Sequence, residues 1–346
     1  MSGLWNVDSF ISSYWGMYAV QTVLHSIVAS ALIDCAFIAW DIRGPRLTQR
    51  FRFLVIFLPA ASFPIYQLIT PGRGGVYFRL GSLLDSNKWL FFEFGGVPIF
   101  KILIVLSAAV TALIFVFQEF LPMAVHMLEQ FRGDSGADGP QPVENPLEGR
   151  LAEALEGLPI GRERVSVLDD EDLVIFSDTW RNPQIYISTG LIRAFDAPQL
   201  RAALAHEVGH IQRSKKPVLI VAYVLRLAMF YNPVAMIEFR KLAQEEEKIC
   251  DDFAIGMTGR PSALRQAIEM LREPVENPFS PEREGKGKGA VRGFDAVASA
   301  FEQYGLDSLL RSRIRRIGHP LRDEAPWRVP FLITFALIAG INYFVV

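Results

Sequence analysis

Cysteine is scarce in this chain of 346 residues: there are two, Cys35 and Cys250. One lies in a hydrophobic run and the other beside an acidic cluster, which excludes a disulfide framework and fits a reducing compartment for the region around Cys250. Histidine is nearly as sparse, with five. Charge of one sign is lacking too. A formal net charge of −2 gives no reason to expect nucleic acid as a partner. The amino-terminal segment has Asp8 and no Lys or Arg at all, and the first apolar run is too long for a cleavable signal peptide. No internal repeat is present.

Apolar residues are plentiful. They make up 51% of the chain, the mean hydropathy is +0.23, and they gather in long runs near both ends while charge gathers in the middle. About 20 apolar residues cross a bilayer core as a helix. Met17–Trp40, Phe53–Thr70, Pro98–Leu121 and the shorter Val329–Val346 therefore read as four spans. His25 and Asp34 in the first span are costly in lipid and are expected to face the bundle interior, as a buried polar pair or as sensing residues. The link between the first two spans carries Arg43, Arg46, Arg50 and Arg52 against Asp41, and Arg311, Arg313, Arg315 and Arg316 precede the last span. By the positive-inside rule the chain starts outside and its middle domain is cytoplasmic.

Residues 132–150 read as a linker rich in Gly, Pro and acids, and 274–293, with its Gly-Lys-Gly-Lys-Gly run, as a mobile insertion. The expected organisation is a membrane domain over 1–131, the linker, a domain over 151–325 and a last span over 326–346. Within the middle domain Leu151–Leu158 reads as a helix. Arg164–Leu168, Leu173–Phe176 and Gln184–Ser188 read as strands, and Pro198–Arg213 as a helix capped by Asp196. Pro217–Ile237 is long and apolar, yet a single crossing there would separate residues that the next argument needs on one side. It is expected to be buried, re-entrant or apposed to the membrane.

Ala205-His206-Glu207-Val208-Gly209-His210-Ile211 matches His-Glu-x-x-His on a helix. Histidines four apart share a helical face and can reach one zinc, and Glu207 is placed to act as base toward a water at the metal. The bland alternative is two incidental histidines on a surface helix. A catalytic zinc needs a third protein ligand and an open position. The acidic run Gln244–Asp252 supplies candidates: Glu247 and Asp251 lie four apart, so Glu247 can ligate while Asp251 accepts a hydrogen bond from a ligand imidazole. Glu245, Glu246 and Asp252 then form a solvated face, and spacing alone leaves open whether the whole run is a charged surface helix.

His206-Glu-Val-Gly-His210, Phe230-Tyr231-Asn232-Pro233 and Glu247-Lys-Ile-Cys250-Asp251 together resemble the antirepressor-type membrane zinc peptidases of beta-lactam sensor-transducers. Ile185-Tyr-Ile-Ser-Thr-Gly190-Leu191 and the Glu-x-x-x-Asp element are similar to the related HtpX and CAAX prenyl protease families. The resemblance implies an α-helical membrane anchor joined to an α+β zincin domain of gluzincin type in a bacterial plasma membrane. It also implies a Zn2+ cofactor on His206, His210 and Glu247, with Glu207 as base and Asp251 as support, and it selects Glu247 over Glu246. In two respects the chain departs from these families. Asp307 stands where the prenyl protease and HtpX pattern has a histidine, although Arg313-Ile314 follows and Arg313 remains a candidate contact to substrate or site. The antirepressor group carries a penicillin-binding sensor after its last span, and direct beta-lactam sensing is not expected of the sequence ending at Val346. The expected reaction is hydrolysis of a protein or peptide, the chain pairing with an edge strand at Ile185, Tyr186 and Ile187 and Tyr231 assisting the oxyanion. Three functions compete: regulatory cleavage of a cytoplasmic protein such as a repressor, processing or quality control of membrane or lipidated proteins, and a non-catalytic zincin-like sensor or scaffold. The lipid bilayer and a possible second copy of the chain, as a homodimer, complete the expected partners.

Overall fold

The computed structural model describes residues 7–121, 145–179, 182–213, 217–272, 310–317 and 326–346. Its principal helices, in chain order, begin with α1 (Tyr14–Ala39), α2 (Pro45–Ile69), α3 (Ile99–Phe115) and α4 (Asn145–Leu155). After three strands, β1 (Val165–Leu168), β2 (Ile175–Asp178) and β3 (Gln184–Ser188), come α5 (Thr189–Ala194), α6 (Ala197–Arg213), α7 (Pro217–Ala228), α8 (Pro233–Thr258) and α9 (Pro261–Arg272). A helical segment over 310–317, α10, and α11 (Arg328–Tyr343) close the chain. The chain divides into two compact units. One comprises Met1–Gly136, Pro217–Glu245 and Arg322–Val346, the other Ala137–Lys216 and Glu246–Leu321.

The first unit is helical. α1 and α2, of 26 and 25 residues, are the two described helices long and apolar enough to cross a membrane. They pack through Ala29, Ile33, Phe51, Leu54 and Val55, with Ile338 of α11 in the same cluster. α3 has 17 residues and runs into a π turn at Val116–Phe120. α11 has 16 residues, about 24 Å at 1.5 Å per residue, shorter than the roughly 30 Å hydrocarbon core. His25 is buried and faces the Val345 carbonyl at 3.0 Å. Asp34 is exposed, so the two form no buried pair.

The apolar stretch after residue 216 is broken rather than continuous. α7 ends at Ala228, the backbone turns, and α8 starts at Pro233, where proline suits a first helical turn. Buried Asn232 organises the turn. Its Oδ1 accepts the N–H groups of Val234 (3.0 Å) and Ala235 (3.3 Å), and its Nδ2 donates to Ser26 Oγ at 2.9 Å. Met229, Ala222, Ala235 and Leu242 pack with Ile56 of α2. Neither α7 nor α8 is among the described helices long and apolar enough to cross a membrane.

The second unit holds the sheet, in the order β1-β3-β2. β3 pairs parallel with β1 and antiparallel with β2, with Ile187 opposite both Val167 and Ile175. Ile185, Tyr186 and Ile187 therefore lie in the central strand with both edges occupied. The edge strands among the described residues are β1 and β2, so Ile185, Tyr186 and Ile187 offer no free edge for the substrate pairing expected of them. The Ser188-Thr189-Gly190 step holds the turn before β2. Ser188 Oγ donates to Asp172 O (2.6 Å), Thr189 Oγ1 donates to Asp170 O (3.0 Å), and Gly190 N donates to the same carbonyl at 2.8 Å. A Cβ at Gly190 would stand 2.1 Å from Glu171 O, so only glycine fits. α4 begins at Asn145, inside the expected linker, and buries Leu147 and Leu151 in the core with Ile185, Leu204 and Ile268. The insertion at 274–293 and Asp307 lie outside the described residues.

Candidate active site

α6 starts as its sequence dictates: Asp196 Oδ1 accepts from Gln199 N at 2.8 Å, and Gln199 Oε1 accepts from Asp196 N at 3.0 Å, a reciprocal capping box. Its apolar face, Leu200, Leu204 and Val208, enters the core. That rotation sets His206, Glu207 and His210 toward the second half of α8. Gly209 lies where α8 crosses, and a Cβ there would meet Phe253 Cδ1 at 3.3 Å and Cys250 Cα at 3.4 Å. The glycine inside the motif lets α8 come close enough to deliver Glu247.

Three donors converge. His206 Nε2 and His210 Nε2 are 3.1 Å apart, His206 Nε2 is 3.4 Å from Glu247 Oε2, and His210 Nε2 is 3.4 Å from Glu247 Oε1. A tetrahedral zinc with Zn–N and Zn–O near 2.0–2.1 Å separates its ligand atoms by roughly 3.3 Å. The three distances match the edges of one face of such a tetrahedron, leaving a fourth direction open. The donor set fits zinc.

The surrounding groups fix the imidazoles. His206 Nδ1 donates to Asp251 Oδ1 at 3.0 Å, leaving Nε2 for a metal. His210 Nδ1 stands 3.5 Å from Cys250 Sγ. A metal on His210 Nε2 would leave the ring hydrogen on Nδ1, facing the sulfur. Burial first, then the neighbouring carboxylates, push the Cys250 thiol up, so it stays protonated. Arg313 clamps Asp251 through two hydrogen bonds (Nε to Oδ2, 2.9 Å; Nη2 to Oδ1, 2.6 Å) and reaches Glu247 Oε2 at 3.1 Å through Nη1. Although it also lines the cavity, its guanidinium is engaged with the carboxylates that hold the site.

Without metal the charges settle as a linked set. Burial opposes protonation of His206, but hydrogen bonds to Asp251 and Glu247 outweigh it and raise its pKa to about 9. Burial and then charged His206 hold His210 below its ordinary value. For Glu247, burial is overcome by His206, Arg313 and His210, and its pKa falls to about 2. Asp251 is held low in the same way, burial being outweighed by His206 and Arg313. Perturbed titratable groups in a cleft mark a functional site.

A cavity of about 470 Å³ opens beside the cluster. His206, Glu207, His210, Glu247 and Arg313 form one wall, and Leu264, Ala267, Ile268 and Leu310 form an apolar one. β2 borders it through Ile175, Phe176 and Ser177. Tyr231 is not among the lining residues. It belongs to the helical unit, where its hydroxyl meets Thr22 Oγ1 at 3.0 Å. The solvated face is also corrected. Glu245 and Glu246 are buried, Glu246 pairing with Arg213 (Nη2 to Oε2, 2.7 Å), and Asp252 pairs with Arg316 at 2.6 Å. The contact of Cys250 with His210 was missed from sequence, although the Glu-x-x-Cys-Asp spacing carried the signal: three residues after Glu247 is one helical turn.

The sequence profile of peptidase family M48 matches residues 151–276. This segment, which contains His206, Glu207, His210, Glu247 and Asp251, is thus similar to a family of zinc-dependent metallopeptidases, hydrolases that act in proteolysis. No curated protein matches the chain.

Proposed function

We propose that this chain is a membrane-anchored zinc endopeptidase. The observation that carries the reading is the donor triangle of His206, His210 and Glu247, backed by Asp251 and Arg313, beside Glu207 in an open cavity. His206, His210 and Glu247 would hold the zinc, which when bound supplies Lewis-acid polarisation of the scissile carbonyl and makes water a better nucleophile. Glu207 takes a proton from the attacking water and passes it to the leaving amine, so the peptide bond yields a carboxylic acid and an amine. Asp251 holds the His206 tautomer, and Arg313 holds Asp251 and Glu247. An extended substrate adds to the β2 edge by backbone hydrogen bonds, and the apolar wall receives a side chain near the scissile bond.

The two apolar amino-terminal helices support membrane anchoring, and the Arg-rich link between them supports a cytoplasmic peptidase unit. The Glu247-x-x-Cys250-Asp251 pattern supports regulatory cleavage of a cytoplasmic protein such as a repressor. The test is zinc content and casein hydrolysis of detergent-purified protein beside Glu207→Ala. One zinc per chain in both, with activity lost only in the variant, is expected. A variant as active as the wild type would refute the role of Glu207.

A further inference from the structure

The helical unit carries a cluster of cations that nothing above employs. Arg46 and Arg50 lie one turn apart near the start of α2, and Arg328 is the first residue of α11; all three are exposed. The Arg50 guanidinium lies over the Trp327 ring at 4.3 Å, and Trp327 immediately precedes Arg328. The three cations thus gather at one end of packed α1, α2 and α11. Among the described residues none of the three has a carboxylate partner, whereas nearby Arg43 pairs with Asp41 at 2.6 Å.

What lies along these helices indicates where the cluster resides. Ile38 is 84% exposed, Leu332 64% and Leu68 83%; such surface is favourable against hydrocarbon. Two half-buried indoles, Trp40 and Trp327, pack on the same apolar cluster at the cationic end. Tryptophan is enriched at the level of lipid headgroups. At the opposite end, Arg73 is fully buried against the carbonyls of Asn342, Tyr343 and Val345, and Arg79 is tied to Asp85 at 2.7 Å. Those two arginines are satisfied by the protein; the three at the tryptophan end are exposed and have no carboxylate partner among the described residues.

We infer that Arg46, Arg50 and Arg328 form a binding surface for the headgroup phosphate of an anionic phospholipid, oriented by Trp40 and Trp327. A guanidinium fits phosphate with two parallel hydrogen bonds, and an anionic headgroup leaves that charge uncancelled where phosphatidylcholine offsets it with its own ammonium. Each basic residue near an anionic lipid surface contributes about 1 kcal/mol, or roughly fivefold in affinity. Three together would give a preference on the order of a hundredfold.

The test is native mass spectrometry of the detergent-solubilised full-length protein, titrated separately with phosphatidylglycerol and phosphatidylcholine. The wild type should retain phosphatidylglycerol at far lower concentration than phosphatidylcholine, and inorganic phosphate should not displace it. Arg46→Gln/Arg50→Gln/Arg328→Gln should lose the preference and still bind phosphatidylcholine as before, while the triple Arg→Lys variant keeps part of it. If the triple Gln variant fails to insert, Arg46→Gln and Arg328→Gln singly should each lower it about fivefold. Equal retention of the two lipids by the wild type, or an unchanged preference in the Gln variants, would overturn the proposal; displacement by inorganic phosphate would reduce the surface to a simple anion site.

Discussion

Arg73 in the helical unit and Arg313 in the peptidase-like unit are both buried, and their partners differ in kind. Arg73 meets neutral acceptors only: the carbonyls of Asn342, Tyr343 and Val345 at the end of α11, and Gln21 Oε1 at 2.9 Å. Arg313 meets two carboxylates, one of them a candidate zinc ligand. The first arrangement ties three helices together and gives the cation no charge to answer. In the second, the carboxylates answer the arginine and the histidines at once, so any change is felt at the donor atoms. Burial of a cation serves architecture in one unit and the tuning of a site in the other.

The comparison can be broken most forcefully at Arg73. Arg73→Met takes the arginine donor from Tyr343 O and Gln21 Oε1, while Asn342 O keeps Val345 N and Val345 O still faces His25 Nε2; at about 1–3 kcal/mol for each unsatisfied group, a total of about 2–6 kcal/mol is expected. Thermal unfolding in detergent should show the same loss with zinc and with EDTA; a loss that zinc reverses would contradict the architectural reading. Next in size, Arg313→Gln or Asp251→Asn should weaken zinc binding about 10–100-fold, the range for groups that orient metal ligands. Competition with a chromophoric chelator reads this directly, and an unchanged affinity would detach Arg313 from the site.

A pH titration sharpens the contrast further. His206 has a folded pKa of about 9, raised above its unfolded value near 6.5. In metal-free protein its stabilising contribution is therefore fully present below about pH 6.5 and is lost as pH rises through about 9. Zinc competes with that proton, so zinc affinity should climb across the same window; a flat profile would remove His206 from the ligand set. The smallest effect is expected at Cys250. Cys250→Ser keeps an acceptor for His210 Nδ1–H and should bind zinc within a few-fold of wild type, whereas Cys250→Val, with no acceptor, should lose about tenfold. Equal affinities would make the 3.5 Å contact incidental.

Much of the site was legible because it is local to two helices. The four-residue spacings of His206 with His210 and of Glu247 with Asp251 state which side chains share a face, and Asp196 with Gln199 announces where α6 begins. Whatever depends on how elements meet was not legible. Gln184–Ser188 has the alternation of a strand, but only pairing on both sides reveals that it is central and that Ile175–Asp178 is an edge. Glu246 looks solvated until Arg213 from another helix is placed against it, and Tyr231 sits near a motif in sequence while its hydroxyl bonds Thr22 within the helical unit. The helical turn at Asn232 was hinted at by Asn-Pro inside an apolar run, yet composition could not distinguish a break from a crossing.

Zinc K-edge X-ray absorption on the purified full-length protein reads the ligand set of His206, His210 and Glu247 itself. One zinc held by two imidazole nitrogens and light oxygen donors at about 2.0–2.1 Å is expected, with the imidazole contribution reduced in His210→Ala. A sulfur shell near 2.3 Å would transfer Cys250 from its place behind His210 to the metal itself, and a protein that takes up no zinc would contradict the site altogether.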